Sequence, residues 1–159
     1  MDKFELKTSL DNKLYAVYNV LSELLFRLDV ISKSLLCKNK KFKGLHEGES
    51  CYILGTGPSL SNLSMLELEY LKNHKTIAVN SYFKSNISKS LVPDYYCLMD
   101  NLYWEEWSDI FGDIIQAYGP EMTTRFITDY RAKPLLSSLR GSLEPIYIYS
   151  KKYPYKEVS

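Results

Sequence analysis

The sequence predicts an α/β fold: a Rossmann-like, mostly parallel sheet of about five strands with flanking helices, preceded by a long N-terminal amphipathic helix. Three observations carry that expectation. Beyond residue 50, short runs rich in β-branched and aromatic residues alternate with helix-like stretches, which implies parallel strands joined by right-handed crossovers. The first run ends in Gly55-Thr56-Gly57-Pro58-Ser59, a tight strand-to-helix turn. Upstream, Leu14, Leu21, Leu28 and Leu35 recur at intervals of seven.

Composition fits one such domain. The 159 residues are 45% hydrophobic and 25% charged, values that exclude general disorder. A net charge of +1 argues against a nucleic-acid partner, which asks for a basic footprint. No apolar run approaches the roughly 18 residues of a membrane span. Met1 to Leu10 mixes charges of both signs and lacks the apolar block of a signal peptide. A cytoplasmic protein is expected. Cys37, Cys51 and Cys97 are odd in number and lack CxxC spacing, which suggests a reducing compartment and neither a disulfide frame nor a zinc site. Residues 1–44 carry a charge of +4 and residues 45–159 carry −3. The break at Gly44 is read as the boundary between a helix with its basic linker and a compact domain over 45–159.

In the N-terminal segment, Val17, Leu24 and Ile31 interleave with the leucines to make an a/d heptad pattern over three repeats. Asp11 or Asn12 is expected to cap the helix start. Its end is expected before the basic run Lys38, Lys40, Lys41 and Lys43. Tyr18 and Leu25 widen the stripe. Three partners fit it: the chain's own domain, a second copy through residues 11–36, or an anionic membrane surface approached with help from the lysines.

The five strands are expected at Ser50–Leu54, Thr76–Asn80, Tyr95–Asp100, Arg125–Thr128 and Ile146–Tyr149. Between them, Ser64-Met-Leu-Glu67 is a capping-box pattern ahead of Leu68 and Leu71. Trp104–Tyr118 spaces its apolar residues as one helix, and Pro134–Leu139 reads as a short one. Cys51 and Cys97 fall in strands expected to be buried.

Parallel sheets bind ligands beyond the carboxyl ends of their strands, so the residues there are the candidates. Gly55 and Gly57 let backbone approach a ligand, and Pro58 suits the first turn of a helix. Free N–H groups at such a turn, with the Thr56 and Ser59 hydroxyls, would face a phosphate. The turn is neither GxGxxG nor a Walker A loop. Asn80 and Ser81 follow the second strand, where the Asn either caps a helix or bonds a ribose or base. Asp100 and Asn101 follow the third. Asp100 either caps the next helix or holds magnesium against phosphates, and MDN lacks the second carboxylate of a DxD motif. Glu105 and Glu106 read as a solvated face beside packed Trp104 and Trp107, with a carbohydrate platform as the alternative. His46 and His74 are read as structural, and no catalytic residue is assigned.

Taken together, Lys43 to Leu60, then Ala78-Val-Asn-Ser-Tyr-Phe83, Pro93-Asp-Tyr-Tyr96 and Asp100 resemble a bacterial family, the 6-hydroxymethylpterin diphosphokinase MptE-like proteins of surface-polysaccharide gene clusters. The GxGPSL opening and the later Asn also resemble CMP-sugar sialyltransferases. The resemblance covers about residues 42–101. It implies that Gly55, Gly57, Pro58 and Ser59 line nucleotide phosphates, that Asn80 contacts the nucleotide and that Asp100 takes the family's acidic position. Thr56 departs from the sialyltransferases' Asn, which speaks against CMP recognition by the same amide contacts. Both families continue well beyond the length of this chain. Here Lys151 to Ser159 follow the fifth strand with no helix to cover it, although parallel sheets need both faces covered. The expectation is therefore a domain truncated at its C-terminus, carrying the donor-binding half.

The function expected is that of a glycosyltransferase-like protein binding a nucleotide-sugar donor for capsule or lipopolysaccharide synthesis. A glycan would be the acceptor, no cofactor beyond a conditional magnesium is called for, and peripheral contact with the inner face of the membrane is allowed. Two alternatives stand: a magnesium-dependent diphosphokinase-like phosphoryl transferase, and a non-catalytic nucleotide-binding or self-associating module.

Overall fold

The computed structural model of the chain describes residues 3–119, 121–139 and 144–150. All five expected strands form: β1 (Cys51–Leu54), β2 (Lys75–Val79), β3 (Tyr95–Leu98), β4 (Arg125–Asp129) and β5 (Ile146–Ile148). Every neighbouring pair is parallel, and the strands lie across the sheet in chain order. The α/β class predicted from the alternation is the fold observed. Its winding never reverses, so the sheet has no topological switch point of the kind that opens a crevice in doubly wound proteins.

One-way winding dictates the layers. With right-handed crossovers, every connecting helix falls on the same face of the sheet. Burial agrees. Leu54, Thr76, Ala78, Tyr96, Leu98, Phe126, Thr128 and Tyr147 share one face by register, and all are buried. Phe111 and Ile114 from α5 (Ile110–Tyr118) and Leu136 from α6 (Lys133–Ser138) close over them, with the Phe111 ring edge-on to Phe126 at 5.3 Å. Three buried hydroxyls in this core are paired, whereas that of Tyr118 is buried without a partner among the described residues. Thr124 donates to the Pro93 carbonyl at 2.6 Å, Thr128 to Leu98 at 2.7 Å and Tyr82 to Leu91 at 2.8 Å. The opposite face presents Ile53, Ile77, Val79, Cys97, Ile127 and Ile146, none of them fully buried. Cys51 is exposed too, against expectation, because β1 is an edge strand.

The N-terminal segment forms α1 (Lys3–Leu28), α2 (Val30–Cys37) and a 3₁₀ turn over Lys38–Phe42. Asp11 and Asn12 do not cap α1. They lie inside it, because Leu6 and Leu10 continue the apolar spacing upstream. The break comes at Asp29, whose carboxylate accepts from the Ser32 amide at 3.0 Å and starts α2. The heptad pattern is thus divided between two helices.

This segment covers the last strand. Asn39 Nδ2 donates to the Tyr147 carbonyl at 2.5 Å, Lys41 pairs with Glu144, and the Phe26 ring stacks on Tyr149 at 4.4 Å. The expectation of a bare fifth strand is therefore not met: its cover arrives from the beginning of the chain. Residues 151–159, on which the expected C-terminal truncation was read, lie outside the described residues.

Downstream of β1, α3 (Met65–Lys72) starts at the expected capping box. The Ser64 hydroxyl accepts from the Glu67 amide at 3.2 Å, and the Ser64 amide donates to the Glu67 carboxylate at 2.7 Å. The single helix expected over Trp104–Tyr118 is two, α4 (Leu102–Glu105) and α5. The Trp107 amide closes on the Leu102 carbonyl at 2.7 Å, a wide turn that breaks the helical phase. Trp104 stays packed on the core while Trp107 is released outward, 56% exposed. No helix among the described residues is long and apolar enough to cross a membrane.

Candidate functional site

Parallel strands about 4.8 Å apart bring the carboxyl ends of β1 to β4 into one row. Asn80 follows β2 with φ of 52°, in the left-handed region, and is the one non-glycine residue there among the described residues. Asn tolerates this conformation better than most side chains, at a small cost. Two contacts hold it, and a third steadies its partner Tyr96. Its Oδ1 accepts from the Tyr103 hydroxyl at 2.9 Å, its carbonyl accepts from the Tyr96 hydroxyl at 2.8 Å, and that hydroxyl accepts in turn from the Phe83 amide at 3.0 Å. Burial pushes the Tyr96 phenol far above its ordinary pKa, so it remains a neutral donor. The network leaves Asn80 exposed.

Beside it opens a cleft of about 390 Å³. Asn80, Ser81, Tyr103, Glu106, Trp107 and Asp109 line it, together with Phe83, Lys84, Ile110 and Asp113. Three carboxylates against one ammonium make it acidic. An exposed indole, a tyrosine hydroxyl, an amide and carboxylates in one cleft can stack a ring face and hydrogen-bond several hydroxyl groups. Trp107 was expected to pack and instead forms part of this wall.

The Gly55–Ser59 turn stands at the end of β1, outside the lining of this cleft. Gly57 is extended, with φ of −73° and ψ of 157°, and Pro58 opens a 3₁₀ turn over Pro58–Asn62. The expected α-helix N-terminus is not here, because the Ser64–Glu67 capping box fixes the helix start further on. A short 3₁₀ turn offers amides but little of a helix dipole. A Cβ on Gly55 would meet nothing within 4 Å, and on Gly57 only the Ser59 hydroxyl at 3.8 Å. Neither glycine has positive φ. Nothing within the described chain therefore requires glycine at these two positions. Thr56, Pro58 and Ser59 are exposed.

Asp100 and Asn101 take local roles. Asp100 Oδ1 accepts from the Leu102 amide at 3.1 Å, which starts α4, and Asn101 Nδ2 donates to Glu105 at 2.6 Å. Neither lines the cleft. Among the described residues no group of three or more His, Cys, Asp or Glu is arranged to hold a metal ion.

One group at this edge escaped the sequence reading. Asp129, at the end of β4, is fully buried. It accepts from Arg131 Nε at 2.7 Å and Nη2 at 3.1 Å, from the Arg131 amide, and from the amide and hydroxyl of Ser150. Burial pushes its pKa up, but the Arg131 and Ser150 bonds outweigh it and hold the carboxyl below its ordinary value. Arg131 lies over the Trp104 ring at 5.2 Å and reaches the Tyr18 hydroxyl of α1 at 3.4 Å. The signal was present: the carboxyl-end rule, applied one residue past Thr128, selects Asp129. The histidines are paired locally, His46 with Glu49 and the Tyr95 hydroxyl, His74 with the Tyr70 carbonyl.

No family model, curated protein or solved structure matches this chain. The resemblance to MptE-like proteins and sialyltransferases rests on the motif residues alone. The candidate residues at the strand ends divide into two places: Asn80 and Ser81 in the cleft, and Gly55–Ser59, Asp100 and Asn101 along the same edge outside it.

Proposed function

We propose that the chain binds a nucleotide-sugar along the carboxyl edge of its sheet, as a glycosyltransferase-like protein of surface-glycan synthesis. The observation that carries this reading is the cleft beside Asn80, where the exposed Trp107 indole stands among Tyr103, Glu106, Asp109 and Asp113. Aromatic faces with carboxylate and amide acceptors suit a sugar ring and its hydroxyls. The acidic lining does not suit a bare phosphate, so the donor's phosphates are placed at the Gly55–Ser59 turn, where two glycines have no internal reason to be glycine. Amides of that turn and the Thr56 and Ser59 hydroxyls would stabilise the departing nucleotide. Carboxylates of the cleft are the groups placed to accept a proton from an acceptor hydroxyl.

Calorimetric titration of the chain with CMP, CDP, UDP, GDP and ATP, each with and without magnesium, followed by the matching nucleotide-sugars, tests the proposal. Tighter binding of one nucleotide-sugar than of its nucleotide is expected. Trp107→Ala should remove that difference, roughly tenfold for one lost stacking contact, while leaving the bare nucleotide's affinity unchanged. Magnesium-dependent ATP binding with no preference for sugars would instead establish the phosphoryl-transfer alternative. Binding of none would leave the non-catalytic module.

A further inference from the structure

The heptad seam of α1 faces away from the domain. Among the partly covered residues of α1 are Thr8, Asn12, Tyr15, Asn19, Ser22 and Phe26, spaced three or four apart along one mostly polar face that also includes Asp11 and Glu23. The apolar seam lies elsewhere on the helix. Leu10 is 58% exposed, Leu14 57%, Val17 58%, Leu21 56%, Leu24 56% and Leu28 73%. Leu6, Val20 and Leu25, which widen it, are each more than half exposed. An ordinary amphipathic helix turns its apolar stripe inward. This one docks by its polar side and displays the stripe.

We propose that this seam is a docking surface for a second copy of the chain, the two α1 helices pairing side by side in parallel. Three features of the helix select that occupant. The a and d positions are filled without interruption from Leu10 to Leu28, with leucine at each a site from Leu14 onward and Val17 and Leu24 at d, a spacing that seats side chains in the holes of an equal helix. Nine apolar side chains exposed by more than half offer an area of the order of the ~800 Å² that each partner buries in a standard interface, well above the ~300–600 Å² of an ordinary monomer's largest patch. In a parallel pair the flanking positions from one helix to the next are Lys13 against Tyr18 and Val20 against Leu25, so no like charges meet in that span. Charge also disfavours a lipid surface. Across residues 3–33 the basic Lys3, Lys7, Lys13, Arg27 and Lys33 are nearly balanced by Glu5, Asp11, Glu23 and Asp29, whereas an interfacial helix carries an excess of Lys and Arg on its polar face. The proposal is independent of the sugar-binding reading.

Sedimentation equilibrium of the full chain tests it, since the monomer is 18.5 kDa. A mass of twice that value at micromolar concentration is expected. Leu21→Asp with Leu28→Asp replaces two exposed side chains, so the monomer's circular dichroism and melting should be unchanged. The dimer dissociation constant should rise at least ~100-fold, about tenfold or more for each buried leucine lost. Leu66→Asp, on the exposed outer side of α3 (84% exposed), serves as the control and should leave the dimer intact. Replacing all three cysteines by Ser and Leu24 by Cys should give a covalent dimer on oxidation, because a parallel pair places each d position opposite itself. A monomer at 100 µM overturns the proposal. So does a dimer that survives the double Asp variant, and so does a monomer whose α1 binds vesicles of anionic lipid instead. Failure of the Leu24→Cys variant to cross-link overturns the parallel arrangement.

Discussion

Asp129→Ala is the most informative single substitution for the fold. The carboxylate is fully buried and accepts five hydrogen bonds, three from Arg131 and two from Ser150. Removing it strands those donors and leaves the Arg131 guanidinium without its counter-charge. Breaking a buried pair from one side costs about 3–5 kcal/mol. The Arg131 side chain is 31% exposed and recovers part of its hydration, so the lower end applies, about 3 kcal/mol. For a chain of this length that is a fall of roughly 6–12 °C in Tm. The assay is urea unfolding followed by circular dichroism, with Tm as a second readout. The pH dependence supplies an independent check. A carboxyl whose folded pKa is held below its unfolded value of about 3.9 contributes stability in full above that value and loses it as the pH falls through the folded pKa. Asp129→Asn should lack this component, so its stability should decline less than the wild type's below about pH 4. A loss under 1 kcal/mol for Asp129→Ala, together with an unaltered acid profile for Asp129→Asn, would refute the buried-anchor reasoning.

Gly57→Val should leave urea stability within about 0.5 kcal/mol, since the site is open and its backbone extended, while nucleotide affinity measured by calorimetry falls sharply; unchanged affinity would remove the phosphate from that turn. Asn80→Ala should cost about 1 kcal/mol because its φ of 52° suits few side chains, whereas Asn80→Gly should melt close to wild type and still lose the ligand, a separation readable by pairing melting curves with titrations. Asp94→Asn should cost only about 1 kcal/mol in urea unfolding. Its bond to Lys75 spans 2.8 Å, but both side chains are at least a third exposed and solvent screens the pair; a loss like that of Asp129→Ala would contradict the weight given to burial.

Much of the sheet was legible because it obeys local rules. Runs such as YYCL and RFITD are strongly β-forming, and Ser64–Glu67 announces α3. Helix α1 was legible in its spacing but not in its orientation. Periodicity shows that a stripe exists, and only the contacts of Phe26 and Tyr18 with the far end of the sheet show which side docks. The cleft was half legible. Asn80 and Ser81 follow from the carboxyl-end rule, but Trp107 reaches the cleft through a wide turn that helical spacing cannot anticipate. Asp100 and Asn101 met the rule equally well and are occupied by their own neighbours, because short polar side chains at a helix start find backbone partners first.

The strand order described above also bears on how the molecule assembles. Each strand pairs with the one made just before it, so the sheet can grow stepwise as the chain emerges, with only short loops to close at each step. The clasp between the first and last segments is different. Asn39 meets Tyr147 and Lys41 meets Glu144 across 108 and 103 residues of chain, a loop whose closure entropy must be met last. Helix α2 should therefore dock only once β5 exists and be among the first elements to detach. Native-state hydrogen exchange should show the α2 amides opening together with those of β5, at a lower free energy than β2 and β3.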